Sequence, residues 1–239
     1  MKKPKDYIIF PLDLPSSKEA MSYVKKLSGK VGLFKVGLEL FISSGPEIIY
    51  NIKEESGADV FLDLKLHDIP VTMQRAFVAA SRHRPVFVTV HCDQGEGFLK
   101  EVAGENPGGT KILAITLLTS LNKERLIKAG VAKEFAQDLP ALVIRKALMA
   151  REAGCHGIVC SGLEVEAVKK EMRGDFIAVT PGVRPAWSIV DKDDQKRIIT
   201  PADAVKLGAD YIVIGRPIRD ARDPAEAAEK VSEEIESVL

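Results

Sequence analysis

Short apolar runs alternate with longer amphipathic segments along the whole chain, and this alternation restricts the fold more than any other feature of the sequence. Apolar runs of this length are typical of buried β-strands, and the segments between them carry helix signals. A helix between two strands returns the chain to the same end of the sheet, so the repeated unit predicts parallel strands. The predicted strands are residues 7–12, 33–37, 60–64, 86–90, 111–117, 157–160, 176–180 and 211–214.

The helix signals between the strands are capping residues before the first turn and glycines after the last. Ser16 is the capping candidate for the first helix, which Gly29 follows. Asp138 and Pro140 can open a later helix that Gly154 ends. Further along, these signals predict helices at residues 141–152, 163–172, 201–207 and 223–239.

Polar residues follow the strands, and they favour a closed barrel over an open sheet. Eight strand–helix units in 239 residues fit a single-domain α/β fold, the (β/α)8 TIM barrel, with a doubly wound open sheet as the alternative. A barrel gathers the polar residues at its C-terminal face, where active sites of this fold lie, whereas an open sheet spreads them along an edge. They are Asp13, Lys35, Asp63 with Lys65, His91, Thr119, Ser161, Arg184 and Arg216. No linker marks a second domain within residues 1–239.

Composition excludes several classes of partner. The 34 lysines and arginines balance 34 aspartates and glutamates, which argues against a broad surface for nucleic acid or anionic membrane. No apolar run approaches the roughly 18 residues of a membrane span. Three cysteines and no secretion signal favour a reducing cytoplasm. Cys155, His156 and Cys160 lack a second ligand pair, so buried structural cysteines are expected rather than a metal site.

The segment from Asp63 to Pro70 places ionisable side chains at the end of the third predicted strand. Because side chains alternate along a strand, Asp63 and Lys65 are expected on one face, with Asp68 on the turn beyond. Charged residues are rarely buried unless they are paired, so this cluster predicts a functional site. The structural alternative is a salt bridge at the strand end.

Two glycine-bearing turns follow the seventh and eighth predicted strands, where barrels commonly bind phosphate. Gly215 permits close approach of a ligand, and Arg216 offers a planar fork of donors to phosphate oxygens. The alternative is a pair of ordinary turns with surface arginines. Residues 184–197 form a long polar stretch without core periodicity, which predicts either a lid that closes on the ligand or a solvated loop.

Five short motifs occur in order along nearly the whole chain: Phe34-Lys35-Val36-Gly37, Asp63-x-Lys65-x-x-Asp68-Ile69-Pro70, Thr180-Pro181-Gly182-Val183-Arg184, Asp193-Asp194-Gln195 and Ile212-Val213-Ile214-Gly215-Arg216. With these motifs the sequence resembles the orotidine 5'-monophosphate decarboxylase family. One motif can arise by chance, whereas five in register are specific. The loop at residues 92–97 departs from the resemblance, since it is bulkier and more acidic than the small-residue turn expected there.

The resemblance implies a homodimer that decarboxylates orotidine 5'-monophosphate to UMP and CO2 in pyrimidine biosynthesis, without a metal or organic cofactor. Lys65 would donate the proton that replaces CO2, and Asp63 would lie beside the substrate carboxylate. The implied catalytic residues are Lys65, Asp63, Asp68 and Lys35. The implied substrate-binding residues are Asp13 and Lys35 for ribose, Thr119 for the pyrimidine, Gln195 for phosphate and base, and Arg184, Gly215 and Arg216 for phosphate. Asp68, Ile69 and Thr72 would reach the site of the partner subunit.

The chemistry agrees with these residue types. Loss of CO2 from C6 of the pyrimidine leaves electron density in an sp2 orbital, and a fixed ammonium both stabilises it and supplies a proton. Two alternatives remain: a phosphosugar enzyme on the same barrel, such as a 3-keto-gulonate 6-phosphate decarboxylase or a hexulose 6-phosphate synthase, which uses a metal, and a non-catalytic nucleotide-binding barrel. The motif ending in Asp68-Ile69-Pro70 and the stretch with Gln195 weigh against the first. The intact set of Asp63, Lys65 and Asp68 weighs against the second.

Overall fold

A computed structural model describes residues 2–119, 121–172, 174–188 and 199–239. In these residues eight parallel strands form a closed barrel, in which each strand pairs with the next and the last pairs with the first. The predicted single-domain (β/α)8 barrel is confirmed, and the open sheet is excluded. Each predicted strand is present, with ends that differ by no more than two residues from the prediction. The strands are β1 Ile8–Pro11, β2 Leu33–Gly37, β3 Asp59–Leu66, β4 Phe87–His91, β5 Lys111–Ile115, β6 Gly157–Val159, β7 Ile177–Thr180 and β8 Tyr211–Val213.

Helices surround the barrel, and the predicted capping residues open two of them. The Ser16 side chain accepts a hydrogen bond from the Glu19 N–H, and the Asp138 side chain accepts one from the Ala141 N–H. The α-helices of the described residues are α1 Ser17–Leu27, α2 Leu38–Ser44, α3 Glu47–Ser56, α4 Pro70–Ser81, α5 Glu96–Gly104, α6 Lys123–Lys128, α7 Lys133–Gln137, α8 Leu139–Glu152, α9 Val165–Met172, α10 Pro201–Lys206, α11 Arg216–Arg219 and α12 Pro224–Glu236. None of them combines the length and apolar character that crossing a bilayer requires.

The interior of the barrel is filled by apolar side chains, and polar side chains line the cavity at the C-terminal ends of its strands. A cluster of buried side chains from six strands forms the apolar layer: Ile9, Leu33, Phe61, Phe87, Leu113 and Val179. These side chains are almost fully buried and fill the barrel interior, so the layer is a packed floor and not a pore. Since alternate residues share a face, the next inward positions are Pro11, Lys35, Asp63 and Ile115, and all four line the mouth.

The three cysteines are buried, as the sequence predicts, and they form no disulfide bond. Burial raises the pKa of the Cys155 thiol to about 12, so this thiol stays protonated at neutral pH. Burial likewise raises the pKa of Cys92 well above its ordinary range. These cysteines therefore act as small apolar core residues.

Candidate active site

A cavity of about 240 Å³ opens at the C-terminal ends of the strands. Five residues that the sequence predicts for the site line it together: Asp13, Lys35, Asp63, Lys65 and Thr119. Apolar side chains form most of the remaining wall, among them Phe61 at the floor and Leu117 and Leu118 beyond β5. The cavity thus combines an apolar wall with a few convergent polar groups, as small-molecule sites do.

The charged groups of the cavity form a continuous chain of ion pairs. Lys35 Nζ lies 3.0 Å from Asp13 Oδ1 and 3.4 Å from Asp63 Oδ2. The same Asp63 oxygen lies 2.7 Å from Lys65 Nζ. One carboxylate oxygen of Asp63 therefore contacts two ammonium groups, and the predicted convergence of Asp63 and Lys65 is confirmed.

The neighbours of Asp63 and Lys35 keep both groups charged despite their burial. Burial alone raises the pKa of Asp63, but Lys35 and Lys65 outweigh it and hold the pKa below its ordinary value. Burial alone lowers the pKa of Lys35, but Asp63 and Asp13 outweigh it and hold that pKa above its ordinary value. At neutral pH the Asp63 carboxylate is therefore ionised, and the Lys35 side chain that contacts it is cationic.

Lys65 reaches this position through an irregular strand end, which the regular alternation assumed from sequence does not describe. The β3–β4 register passes from Leu62 opposite Val88 to Leu66 opposite Val90, so β3 carries two extra residues at this point. Lys65 lies in this bulge with φ of +49°, a left-handed conformation that is uncommon outside glycine. Strain of this kind clusters at functional sites.

Gly37, at the end of β2, is a site residue that the sequence analysis did not single out. A Cβ at this position would lie 3.1 Å from Asp13 Oδ1 and 3.2 Å from Lys35 Nζ. Glycine therefore leaves room for the Asp13–Lys35 ion pair. The signal available in the sequence was its place in the motif Phe34-Lys35-Val36-Gly37.

A second cavity, of about 380 Å³, adjoins the first and shares Pro11, Asp13, Pro181 and Val213 with it. The remaining lining residues come from the turns after β7 and β8 and from α11: Gly182, Arg184, Gly215, Arg216 and Arg219. The predicted phosphate residues are thus brought together beside the ion pairs. Arg219, one helical turn after Arg216, was missed because its side chain follows no strand directly.

Two features fix the backbone and side chains of this second cavity. Arg184 is only 5% exposed, and its Nη1 donates to the carbonyl oxygen of Val183 at 3.0 Å. Gly215 packs closely on β1, since a Cβ there would lie 2.9 Å from Pro11 Cγ. The turn after β8 therefore approaches β1 more closely than a residue with a side chain would permit.

The ends of the predicted lid are joined to each other at the barrel. Val183 and Ile199 form a parallel bridge, and the Arg184 N–H donates to the Ile199 carbonyl at 2.9 Å. Trp187, in a short 3-10 helix Ala186–Ser188, is 48% exposed. Gln195 lies outside the described residues.

Asp68, Ile69 and Thr72 lie at the start of α4 and line neither cavity of the described chain. Asp68 is exposed, and its Oδ1 accepts the Ile69 N–H at 2.7 Å. The Ile69 side chain is 65% exposed and that of Val71 is 48% exposed, so two large apolar side chains are exposed close together at the start of α4. Within one chain the structure does not bring these three residues to Lys65.

The loop after β4 is held by its own ion pairs and lines neither cavity within the described residues. His91 Nδ1 lies 3.2 Å from Asp93 Oδ2, and Lys146 Nζ lies 2.5 Å from Asp93 Oδ1. The hydrogen bond from His91, together with Lys146, holds the pKa of Asp93 well below its usual range against the opposing effect of burial. His91 is thus anchored at the end of β4 by Asp93.

Sequence comparison decides the family. Residues 6–231 match the family described as "Orotidine 5'-phosphate decarboxylase / HUMPS family". The chain belongs to this family. It is 45% identical to the orotidine 5'-phosphate decarboxylase of Desulfosudis oleivorans, over 100% of this chain and 96% of that one. It is 44% identical to the enzyme of the same name from Trichlorobacter lovleyi, over 97% and 95% of the two chains.

A solved structure agrees with the family assignment. The crystal structure of orotidine 5'-phosphate decarboxylase from Lactobacillus acidophilus superimposes with a TM-score of 0.82 at 33% identity, covering 95% of this chain and 98% of that chain. The predicted membership of the orotidine 5'-phosphate decarboxylase family is therefore confirmed. The predicted enzyme class, a decarboxylase, is confirmed as well.

Proposed function

We propose that this chain converts orotidine 5'-monophosphate to UMP and CO2, with Lys65 as the proton donor to C6 and without a cofactor. The observation that carries the proposal is the Lys65 ammonium, 2.7 Å from Asp63, in a cavity that adjoins an arginine-lined one. Names of full-length relatives at 44–45% identity support the substrate.

The two adjoining cavities suit the two ends of a nucleotide. In the arginine-lined cavity, Arg184, Gly215 and Arg216 hold the phosphate, since guanidinium groups pair with phosphate oxygens in a planar geometry. Asp13 lines both cavities, so with Lys35 it binds the ribose hydroxyls between them. Thr119 then contacts the pyrimidine in the first cavity.

The chemical step depends on a charge that is present before substrate binds. As the bond from C6 to the carboxylate breaks, its electron pair stays on C6 and CO2 departs. The Lys65 ammonium stabilises the developing carbanion and then transfers a proton to C6, which leaves a neutral amine that solvent reprotonates. Because the ion pairs fix the ammonium beforehand, little reorganisation is required during the reaction.

Asp63 has a second role beside holding Lys65. Its pKa is lowered against the effect of burial, so the carboxylate is ionised when substrate binds. A substrate carboxylate placed next to it is repelled, and this repulsion is relieved when CO2 leaves. Lys35, 3.4 Å from Asp63, keeps the carboxylate in place during the reaction.

A lid at residues 184–197 closes over the bound phosphate, with Gln195 between phosphate and base. The bridge between Val183 and Ile199 and the burial of Arg184 support this part of the proposal, since they anchor both ends of the segment beside the phosphate cavity. Closure would use binding energy from the phosphate, remote from C6, to align the reacting groups.

The functional unit is a homodimer in which Asp68, Ile69 and Thr72 enter the site of the other subunit. The exposure of these residues in the single chain supports the arrangement, as does the 48% exposure of Val71 beside them. A carboxylate from Asp68 of the other subunit would add a second anion next to Lys65 and favour its charged form.

The experiment that tests the proposal is a spectrophotometric assay of purified protein with orotidine 5'-monophosphate in excess chelator, following the loss of substrate absorbance. Conversion to UMP is expected, and a Lys65→Ala protein purified in parallel controls for contaminating host enzyme. Absence of conversion by folded protein would refute the proposal. Activity that appears only when magnesium and a phosphosugar are supplied would assign the chain to the metal-dependent alternative.

A further inference from the structure

Thr89, a fully buried β4 residue, is hydrogen-bonded to the Asp63 side chain and to the Lys65 backbone. We infer that Thr89 is a positioning residue for the decarboxylation, whose single hydroxyl orients the Asp63 carboxylate and holds the backbone of Lys65. The inference rests on the proposed function for its kinetic consequence and on geometry alone for its structural one.

The hydroxyl makes one hydrogen bond in each direction. Thr89 Oγ1 donates to Asp63 Oδ1 at 2.8 Å, and it accepts the Lys65 backbone N–H at 2.9 Å. The directions are fixed by chemistry, since a backbone N–H can only donate and an ionised carboxylate can only accept. A hydroxyl has one proton and two lone pairs, so Thr89 satisfies both partners at once.

The hydrogen bond from Thr89 to Asp63 leaves the two carboxylate oxygens with different partners. Oδ1 is occupied by Thr89, while Oδ2 contacts Lys65 at 2.7 Å and Lys35 at 3.4 Å. Without the hydroxyl, the carboxylate is free to rotate and the two cations lose a fixed partner. Thr89 is β-branched and stiff at χ1, so within a strand it presents this hydroxyl in a narrow range of directions.

The bond to Lys65 replaces a strand hydrogen bond that the bulge removes. Between the pairs Leu62–Val88 and Leu66–Val90, three residues of β3 lie opposite the single residue Thr89, two more than a regular register would place there. Buried backbone N–H groups need an acceptor, and the Thr89 side chain supplies one where no backbone carbonyl is in register. The left-handed conformation of Lys65, with φ of +49°, is thereby tied to the same group that fixes Asp63.

The test compares Thr89→Val, which keeps the shape and loses the hydroxyl, with Thr89→Ser, which keeps the hydroxyl. We expect Thr89→Val to lower kcat for orotidine 5'-monophosphate by about 30-fold or more, the effect of misplaced catalytic groups, with KM changed by less than about threefold. Thr89→Ser is expected within about fivefold of the wild-type kcat. The acid limb of the kcat/KM profile should move to higher pH in Thr89→Val, because ionised Asp63 loses a donor while Lys35, Lys65 and Asp13 remain.

Thr110→Val is the matched control, since Thr110 is also buried and donates its hydroxyl to the Pro85 carbonyl at 2.9 Å. It should lose stability and keep the wild-type kcat and pH profile. Equal losses of kcat in Thr89→Val and Thr89→Ser, or a wild-type kcat in folded Thr89→Val, would overturn the inference. Should Thr89→Val fail to fold, Thr89→Ala takes its place in the same comparison, with the same outcomes.

Amide hydrogen exchange at Lys65 separates this inference from the proposed function. Exchange should accelerate in Thr89→Val and stay slow in Thr89→Ser, whether or not orotidine 5'-monophosphate is the substrate. An inactive wild type with this exchange pattern would refute the proposed function and keep the structural role of Thr89. Unchanged exchange in Thr89→Val would overturn the structural role itself.

Discussion

Lys35 Nζ lies 3.4 Å from Asp63 Oδ2, and the two side chains are only 11% and 10% exposed. Each of these charges would be costly to bury alone, and each is compensated by the other together with Asp13 on the side of Lys35 and Lys65 on the side of Asp63. The same Asp63 oxygen also contacts Lys65 at 2.7 Å, so one carboxylate connects both ammonium groups of the barrel mouth.

Asp63→Asn should therefore destabilise the protein as well as inactivate it. Asp63→Asn leaves the buried Lys35 with the largely exposed Asp13 as its counter-ion, so the loss in the free energy of unfolding should approach about 3–5 kcal/mol, the cost of a broken buried ion pair. Asp59→Asn is the control on the same strand, since Asp59 pairs with Lys53 at 3.1 Å but its side chain is 61% exposed. Urea unfolding should show a loss below about 1 kcal/mol for the control. Equal losses for both variants would contradict the prediction.

The cost of Asp63→Asn should also depend on pH. The pKa of Asp63 is lower in the folded protein than in the unfolded chain, where it is 3.8. Its contribution to the free energy of unfolding is therefore complete above pH 3.8 and is lost as the pH falls toward the pKa of the folded state. The pKa of Lys35 is higher in the folded protein than in the unfolded chain, where it is 10.5. Its contribution to the free energy of unfolding is therefore complete below pH 10.5 and is lost as the pH rises through the pKa of the folded state. Below pH 3.8 the difference between wild type and Asp63→Asn should narrow by about 1.4 kcal/mol per pH unit. A difference that is the same at pH 3 and pH 7 would contradict this.

Much of this arrangement could be predicted from the sequence because two simple periodicities determine it. Strand alternation places Lys35 above Leu33 and Asp63 above Phe61 on the inner face, and strand–helix repetition brings all strand ends to one side. The meeting of the residues that follow the strands can therefore be predicted without knowledge of how the helices pack. The cap that Ser16 forms on α1 could be predicted as well, because it depends only on residues close together in sequence.

The rest depends on contacts that sequence periodicity does not encode. The bulge at Lys65 requires a positive φ in a residue that is not glycine, and its acceptor is a Thr89 side chain 24 residues away. Gly37 matters because of the space it leaves beneath an ion pair. Ile69 is 65% exposed, whereas hydrophobic periodicity predicts only which apolar positions are buried.

Lys65→Ala should abolish turnover and preserve the fold. The side chain is 33% exposed, and its removal leaves Asp63 paired with Lys35. A general acid raises the rate by about 10²–10⁴-fold, and a fixed charge raises it by about 10²–10³-fold. Loss of both effects should therefore lower kcat by at least about 10⁴-fold. Calorimetric binding of UMP should change by less than about tenfold, equivalent to about 1.4 kcal/mol. Unfolding of the variant would instead favour a purely structural salt bridge.

Gly37→Ala should weaken substrate binding through the Asp13–Lys35 pair. The new methyl group would lie 3.1 Å from Asp13 Oδ1 and 3.2 Å from Lys35 Nζ, which forces one of the two side chains to move. Since we assign this pair to the ribose, KM should rise by about tenfold, or about 1.4 kcal/mol. Gly97→Ala is the matched control, because a Cβ there meets nothing within 4 Å. An unchanged KM in Gly37→Ala would contradict the assignment.

Arg216→Ala and Arg219→Ala should differ sharply although both residues line the arginine-lined cavity. We expect Arg216→Ala to raise KM and to lower kcat/KM by several orders of magnitude, because phosphate binding energy is used to align C6. The Arg219 guanidinium is already bound by Asp220 through contacts of 2.7 and 3.1 Å, so Arg219→Ala should lower kcat/KM by less than about tenfold. An effect of Arg216→Ala below about tenfold would refute its role as the main phosphate contact.

Mixed dimers test whether Asp68 acts in the site of the other subunit. Lys65→Ala and Asp68→Ala should each be inactive as homodimers, since every site then lacks one of the two groups. When the two variants are unfolded together and refolded, half of the dimers are mixed, and one of the two sites in each mixed dimer combines an intact Lys65 with an intact Asp68. Activity should therefore recover to about a quarter of the wild-type value. If Asp68 served Lys65 of its own chain, each mixed site would still lack one group and no activity would return. The exposed position of Asp68, with its Oδ1 bound to the Ile69 N–H, is what makes recovery the expected result.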